Sequence, residues 1–199
     1  MKKNIINPLI FWGELLFCML ILSSCSSDDY LNVIPKNSTA VISVDLQELY
    51  NTSDDKQLDY LKDVLKLKDA DASGLDFSTK AYVFETVDGN IGLVAKVDDE
   101  DNISNWIKKL EKAGYCKKLT TRKGFKFTSV KDTWILGFSS DALLVMGPIL
   151  PIQQADMQRQ MIKFLEQDDS KSIKGSPMFQ KLDSLESSVS MVAQAAALP

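Results

Sequence analysis

The chain has 199 residues, of which 45% are hydrophobic and 25% are charged. These proportions are typical of a globular protein with a substantial core, and they exclude a disordered or collagen-like chain. The formal net charge of −4 argues against a dedicated nucleic-acid-binding protein, which usually carries a basic face. The chain contains no histidine, so Ser-His-Asp catalysis, Cys-His catalysis and most zinc sites are excluded.

The first 25 residues are typical of an export signal. Lysines at positions 2 and 3 precede two apolar runs, at residues 8–12 and 15–22. The second run is eight residues long, whereas a helix that spans a bilayer needs about 20. The sequence therefore predicts a removable signal peptide over residues 1–24 rather than a transmembrane helix.

The end of the second run resembles the bacterial lipobox. Leu22, Ser23 and Ser24 precede Cys25, which matches an apolar residue, two small residues and a cysteine. The resemblance implies that signal peptidase II cleaves before Cys25 and that this residue is then acylated, with palmitate as a natural label. Two or three acyl chains on one residue anchor a protein stably, whereas a single chain binds marginally. An ordinary signal peptide with a chance cysteine is the alternative.

The residues that follow Cys25 bear on the final location. Ser26, Ser27, Asp28 and Asp29 resemble the acidic surface-export signal of Bacteroidetes lipoproteins. The resemblance implies an outer-membrane lipoprotein displayed at the cell surface, and a periplasm-facing anchor is the alternative. Residues 25–37 are interpreted as the acylated cysteine and a tether.

Signal removal changes the charge and the cysteine inventory. Without residues 1–24 the chain retains 21 basic and 26 acidic residues, a net charge of −5. Cys18 is lost and Cys25 is acylated, so Cys116 is the one free thiol and no intramolecular disulfide is expected. We expect Cys116 to be a buried small residue rather than a nucleophile, since no histidine can activate it.

The remaining residues, 38–199, predict one α+β domain. Hydrophobic alternation predicts strands at residues 38–44, 80–86, 91–97, 119–122, 125–130, 133–138, 142–146 and 188–194. Helical periodicity predicts helices at residues 45–50, 54–68, 152–167 and from 176 onward. A further helix is predicted between the acidic run at residues 98–101 and a capping Gly114, with apolar residues at positions 103, 106, 107 and 110. Asp88-Gly89 between two strands predicts a hairpin.

This order of elements predicts an antiparallel sheet of hairpins and a meander, with helices packed on one face. The last predicted strand has no capping element after it. Two alternatives stay open: the strand returns to the main sheet, or the chain is the first part of a longer protein.

Two acidic segments are candidate metal sites. Asp69, Asp71, Ser73 and Gly74 resemble the first half of an EF-hand loop, but Lys80 stands where the bidentate glutamate belongs. A polar turn leading into the next strand is the favoured interpretation. The acidic run at residues 98–101 is interpreted in the same way, as the start of a helix whose dipole favours negative charge. No metal or cofactor is predicted.

Aromatic residues are the second kind of candidate. Phe125 and Phe127 share one face of their strand, and Trp134, Leu136 and Phe138 share one face of theirs. If exposed, such faces could stack sugars, which is the basis of a glycan-binding alternative. Burial is the favoured interpretation, because apolar strand faces usually pack into a core.

No catalytic motif is present: the sequence lacks a nucleophile elbow, a Ser-x-x-Lys pair, a P-loop and a dinucleotide fingerprint. The protein is therefore interpreted as a non-enzyme. A histidine-free hydrolase that uses two carboxylates is the remaining catalytic alternative.

The lipobox, the Asp-Asp segment and two further stretches resemble one family. Residues 33–46 read VIPKNSTAVISVDL, and Gly74-Leu75-Asp76 leads into the strand at residues 81–84. This pattern is similar to that of a Bacteroidetes lipoprotein family built on a domain of unknown function. The resemblance covers most of residues 30–199, and its longer members imply a truncated chain.

The resemblance transfers no active-site residue. It implies an outer-membrane lipoprotein with a non-catalytic binding or envelope-structural role. Its expected partners are the membrane, through Cys25, and a protein or glycan ligand, with no nucleic acid.

Overall fold

The computed structural model describes residues 28–52 and 73–194. The predicted signal peptide, Cys25 and the helix predicted at residues 54–68 lie outside these residues. The described strands are β1 (Ala40–Asp45), β2 (Lys80–Glu85), β3 (Ile91–Lys96), β4 (Thr120–Arg122), β5 (Phe125–Val130), β6 (Trp134–Phe138), β7 (Ala142–Gly147) and β8 (Val189–Ala193). The described α-helices are α1 (Leu46–Thr52), α2 (Glu100–Lys112), α3 (Gln154–Leu165) and α4 (Pro177–Asp183). Within the described ranges, 3-10 helices also cover Asp29–Val33, Pro151–Gln153 and Ile173–Gly175.

The strands form a single antiparallel sheet in the order β4-β5-β6-β7-β3-β2-β1-β8. Most neighbours are consecutive along the chain, which is the meander that the sequence predicts. Strands β3 and β7 meet in the middle of the sheet, and β8 returns to its edge beside β1. The predicted α+β class and antiparallel sheet are confirmed.

Local sequence signals explain where several elements begin and end. Gly89 has a φ of +75°, as the Asp-Gly hairpin between β2 and β3 requires. Asp99 caps α2, since its carboxylate accepts hydrogen bonds from the N–H groups of Asp101 and Asn102 at 2.8 and 2.9 Å. Ser176 caps α4 by accepting from the Phe179 N–H at 3.1 Å.

The first face of the sheet carries the larger core. Helices α3 and α4, together with the 3-10 helix at Asp29–Val33, cover it. Its fully buried side chains include Phe84, Phe127, Ile135, Leu144, Met146 and Met161.

The second face carries a separate core beneath α2. Ile103 and Ile107 of this helix pack with Leu136, Phe138 and Leu143 of β6 and β7. Side chains alternate along β6, with Ile135 in the first core and Leu136 in the second. The predicted placement of all helices on one face is therefore corrected: β6 and β7 are apolar on both sides, and α2 covers the side that α3 leaves open.

Two cross-strand pairs of phenylalanine and glycine fill the first face. Phe84 lies opposite Gly92 and Phe127 lies opposite Gly137. A Cβ atom on either glycine would overlap the ring of its partner. The missing side chain makes room for a ring that is almost fully buried.

We expect Gly92→Ala to lower the free energy of unfolding by about 1–3 kcal/mol, the usual cost of overpacking a core. Gly175→Ala is the matched control, because no atom beyond its chain neighbours lies within 4 Å of the place that a Cβ would take. Urea denaturation of both variants checks this. Equal stability of the two would contradict the packing of Phe84 over Gly92.

Candidate binding surface at one end of the sheet

The two ends of the sheet differ in what they carry. At one end β1 and β6 finish, and the N-terminal residue of the described chain, Asp28, lies there. Tyr30 marks this position, since its hydroxyl donates to the Lys80 carbonyl at the start of β2, at 2.9 Å. We call this the Asp28 end. The opposite end carries the β2–β3 turn, the β5–β6 turn and the loop after β7, and we call it the Leu150 end.

The segment that follows the predicted acylation site is folded into the domain. Tyr30, Leu31, Val33 and Ile34 are buried in the first core. The Ile173 N–H donates to the Ile34 carbonyl at 2.9 Å. Residues 29–34, interpreted from the sequence as part of a tether, are therefore part of the folded domain, because their four apolar side chains pack against the sheet.

The lipobox residues Leu22, Ser23 and Ser24, the acylation site Cys25, and Ser26 and Ser27 lie outside the described residues. Asp28 is exposed, and Asp29 starts the first 3-10 helix. Asp29 lies 3.9 Å from the Lys174 ammonium group. Of the predicted surface-export signal, the structure thus shows two acidic residues at the Asp28 end.

Asp76 of the EF-hand-like segment is used within the fold. Its carboxylate lies 2.8 Å from the Lys96 ammonium group. It also accepts hydrogen bonds from the Ser78 N–H and hydroxyl, at 2.9 and 2.5 Å. Burial raises the pKa of Asp76, but the hydrogen bonds from Lys96 and Ser78 outweigh it, so this pKa lies below its ordinary value. The carboxylate belongs to the polar turn before β2.

The acidic run at residues 98–101, the other candidate metal site, serves to start helix α2. Asp99 is the N-cap of α2, and Glu100 and Asp101 occupy the first turn of that helix. Among the described residues, no group of three potential metal-ligating side chains is close enough to hold an ion. Asp69 and Asp71 are not among them.

Cys116 is half-buried beside α2, and its thiol lies 3.6 Å from the Ile107 carbonyl. Burial raises the pKa of this thiol, a hydrogen bond with Thr128 opposes the rise, and the nearby Glu111 adds to it. The thiol is therefore protonated at neutral pH. The sequence predicts a buried residue, and the structure shows a partly buried one that packs against the second core.

The aromatic faces of β5 and β6 are directed into the two cores. Phe127 and Phe138 are fully buried, and Leu136 is nearly so. Phe125 and Trp134 are half-buried, and Phe125 packs against the first core. The favoured interpretation as core residues is confirmed for the central positions, and no flat aromatic platform lies open on these strands.

The Leu150 end exposes large apolar side chains that sequence reasoning missed. Val87 in the β2–β3 turn is 60% exposed, Leu150 is 64% exposed and Ile152 is 86% exposed. A hydrogen bond fixes the loop that carries Leu150 and Ile152: the Ile149 N–H donates to the Thr133 carbonyl at 2.8 Å. These residues are exposed by a fixed loop, and such patches often mark contact surfaces.

A shallow pocket of about 160 Å³ lies beside this loop. It is lined by Asn90, Ile149, Gln153, Asp156, Met157 and Gln160. Amide and carboxylate groups around an apolar floor can orient a small polar group of a ligand. A sequence signal for this loop was present in Pro148 and Pro151, since proline interrupts strands and helix interiors and so predicts a loop around Leu150.

The described ranges contain no helix long and apolar enough to cross a membrane. Taken together, the fold is an antiparallel α+β domain with an apolar surface at one end. The chain belongs to the family described as Domain of unknown function (DUF4836), whose model matches residues 59–199. The expectation of a domain of unknown function is confirmed.

No curated protein matches the chain. Two solved structures are similar in backbone, both of TP0453. Crystal form III has a TM-score of 0.48 and 13% identity, over 81% of this chain and 61% of that one. Crystal form I has a TM-score of 0.47 and 11% identity, over 83% of this chain and 62% of that one. The chain thus spans about three fifths of the length of both.

We expect Ile152→Ser to change the free energy of unfolding by less than about 0.5 kcal/mol, because the side chain is exposed. Ile149→Ser is the matched control three residues away, and burial of that side chain predicts a loss of about 2–4 kcal/mol. Thermal unfolding of both variants measures the difference. A large loss in Ile152→Ser would show that this residue is needed for folding rather than for contact.

Asp76→Asn should lower stability at neutral pH by about 1 kcal/mol, since a charged pair with hydrogen bonds is lost. The pKa of Asp76 is lowered on folding, so its contribution is present above the unfolded-state pKa and is lost as pH falls through the folded-state value. The difference in stability between the two proteins should therefore begin to shrink as pH falls below about 4 and vanish below the folded-state pKa. Denaturation from pH 3 to pH 7 tests this, and a constant difference would contradict it.

Proposed function

We propose that this protein is an outer-membrane lipoprotein, acylated on Cys25, that displays a non-catalytic binding domain at the cell surface. One observation carries the proposal: the first described element begins at Asp29, four positions after the predicted acylation site. Asp29 is the first residue of a helix whose next residues are buried in the core. A lipid on Cys25 would therefore hold the whole domain and not a loose tail.

The separation is short. Three residues lie between Cys25 and Asp29, so four residue-to-residue steps join them and span at most about 14 Å when fully extended. The Asp28 end of the sheet would then lie next to the lipid head groups. The strands of the central sheet are six residues long in β2, β3 and β7, or about 20 Å. The Leu150 end would face away from the membrane, where a partner can reach Val87, Leu150 and Ile152.

A binding role is favoured over carboxylate-based hydrolysis by the environment of the acidic groups. A pocket of about 250 Å³ at the Asp28 end is lined by Asp29, Asp141 and Asp168 among others. Hydrogen bonds from Ser170 hold the pKa of Asp168 below its ordinary value. A glycosidase acid needs the opposite shift, and Asp29 is paired with Lys174. The absence of histidine also favours a binding role.

Metabolic labelling with palmitate tests the anchor. We expect the label on the wild-type protein to disappear in Cys25→Ala, because the acyl chains have lost their attachment site. Cys116→Ala is the matched control and should keep the label, since that thiol is half-buried and protonated. A label that persists in Cys25→Ala would refute acylation at this residue.

Protease treatment of intact cells tests the display. A surface protein is expected to be degraded without permeabilisation, and a periplasmic marker should survive in the same sample. Degradation that requires an opened outer membrane would contradict surface display and favour the periplasm-facing alternative.

A further inference from the structure

Positive charge is concentrated in one part of the chain. Residues 108–131 contain nine of the 23 Lys and Arg residues and one of the 27 acidic residues, Glu111. This segment has a net charge of +8, whereas the rest of the chain has 14 basic and 26 acidic residues and a net charge of −12. The overall charge of −4 conceals this separation.

The segment runs along one edge of the sheet. It comprises the last turn of α2, the connection to β4, the outer strand β4 and its neighbour β5. We call its exposed cationic side chains the basic edge: Lys108, Lys109, Lys112, Lys117, Lys118, Arg122, Lys123 and Lys131. Lys126 is half-buried and lies 3.0 Å from Glu100.

A pocket of about 290 Å³ opens in the basic edge near the Leu150 end. Tyr115, Lys117, Ser129, Lys131 and Asp132 are among its lining residues. The Lys117 ammonium group lies 2.6 Å from the Asp132 carboxylate, and both side chains are more than half exposed. Such a pair contributes little stability. An incoming anion can therefore replace Asp132 as the partner of Lys117.

We propose that the basic edge binds a linear polyanionic polysaccharide, a sugar chain that bears carboxylate, sulfate or phosphate groups. Lysine side chains attract such groups over a long distance at low ionic strength. The exposed side chain of Thr121 on β4 offers a hydroxyl group to the sugar, whereas the Thr120 hydroxyl donates to the Phe127 carbonyl at 3.4 Å. Strand β5 has six residues and is about 20 Å long, so the edge can hold several sugar units.

The direction of the edge favours a flexible chain over a flat anionic membrane. Arg122 and Lys123 lie at the β4–β5 turn, at the Asp28 end, and Lys131 lies at the Leu150 end. If the domain is anchored through Cys25, the edge points away from the membrane and only its lower part can touch lipid. This orientation rests on the proposed function, whereas the binding itself does not.

The geometry also disfavours single-stranded nucleic acid. Binding of that kind uses aromatic faces on which bases stack. The Lys131 ammonium group lies 4.7 Å from the centre of the Tyr115 ring, so this face is already covered by a cation.

Binding of the full-length protein, in detergent micelles, to immobilised polysaccharides tests the proposal. Heparin supplies sulfate, polygalacturonate supplies carboxylate and dextran is neutral. We expect both anionic chains to bind, dextran not to bind, and affinity to fall as salt rises. Single-stranded DNA and anionic phosphatidylglycerol vesicles are run beside them, and tighter binding to either would overturn the assignment.

The triple variant Lys117→Gln, Lys118→Gln, Lys131→Gln should weaken heparin binding by about tenfold at low salt, because three contacts are removed. All three side chains are exposed, so the unfolding temperature should stay unchanged.

The matched control removes the same charge elsewhere, with Lys163→Gln, Lys171→Gln and Lys181→Gln. These side chains are also exposed. Binding should stay within about twofold of the wild type, since net charge alone has a weak effect. An equal loss in both triple variants would overturn the assignment of the site to the basic edge.

Asp132→Asn is the decisive single change. It removes a negative charge from the pocket and releases Lys117, so binding should become about two- to threefold tighter. Asn tolerates the φ of +58° that Asp132 adopts. Unchanged or weaker binding would exclude the pocket from the site. The Cys25→Ala variant should bind heparin like the wild type. The assay therefore tests the ligand of the basic edge independently of the proposed acylation of Cys25.

Discussion

The packing of residues 29–34 against the first face of the sheet determines how the rest of the molecule is presented. The Tyr30 hydroxyl donates a hydrogen bond to the Lys80 carbonyl, and the Ile34 carbonyl accepts one from the Ile173 N–H, so both ends of the segment are held. The Tyr30 and Tyr82 rings lie 6.2 Å apart, and burial raises the pKa of Tyr82 to about 12, so both hydroxyls stay neutral. Because this segment is part of the core, a force or an anchor acting at its N-terminus acts on the whole sheet.

The positions of the apolar surface and of the basic edge follow from this arrangement. The apolar surface with Leu150 and Ile152 lies at the end of the sheet opposite Asp28, where a membrane at the Asp28 end cannot cover it. The basic edge lies along β4 and joins the two ends. The sheet therefore presents an apolar surface at its Leu150 end and a cationic surface along its β4 edge. The side chains of both surfaces are exposed, so substituting them should not disturb either core.

Local signals made much of the fold predictable. The Asp-Gly turn, the cap at Asp99 and the alternation in β6 each act over a few residues, so the sequence alone contains them. The position of α2 on the second face is not local, because it depends on which side of β6 and β7 is left uncovered by α3. The candidate surfaces were missed for a related reason. The sequence shows that Ile152 is apolar but not that its side chain is exposed. The lysines of the basic edge come to lie on one surface only when β4 pairs with β5.

If the proposed anchor on Cys25 is correct, the domain stands on the membrane through its Asp28 end. Fluorophores attached through Asp141→Cys or Asp88→Cys, each in a Cys116→Ser protein that is acylated and reconstituted in vesicles, measure this directly. Both positions are exposed, at the Asp28 end and the Leu150 end respectively. A quencher attached to lipid head groups should reduce emission strongly at position 141 and weakly at position 88. Equal quenching, or stronger quenching at position 88, would contradict the account.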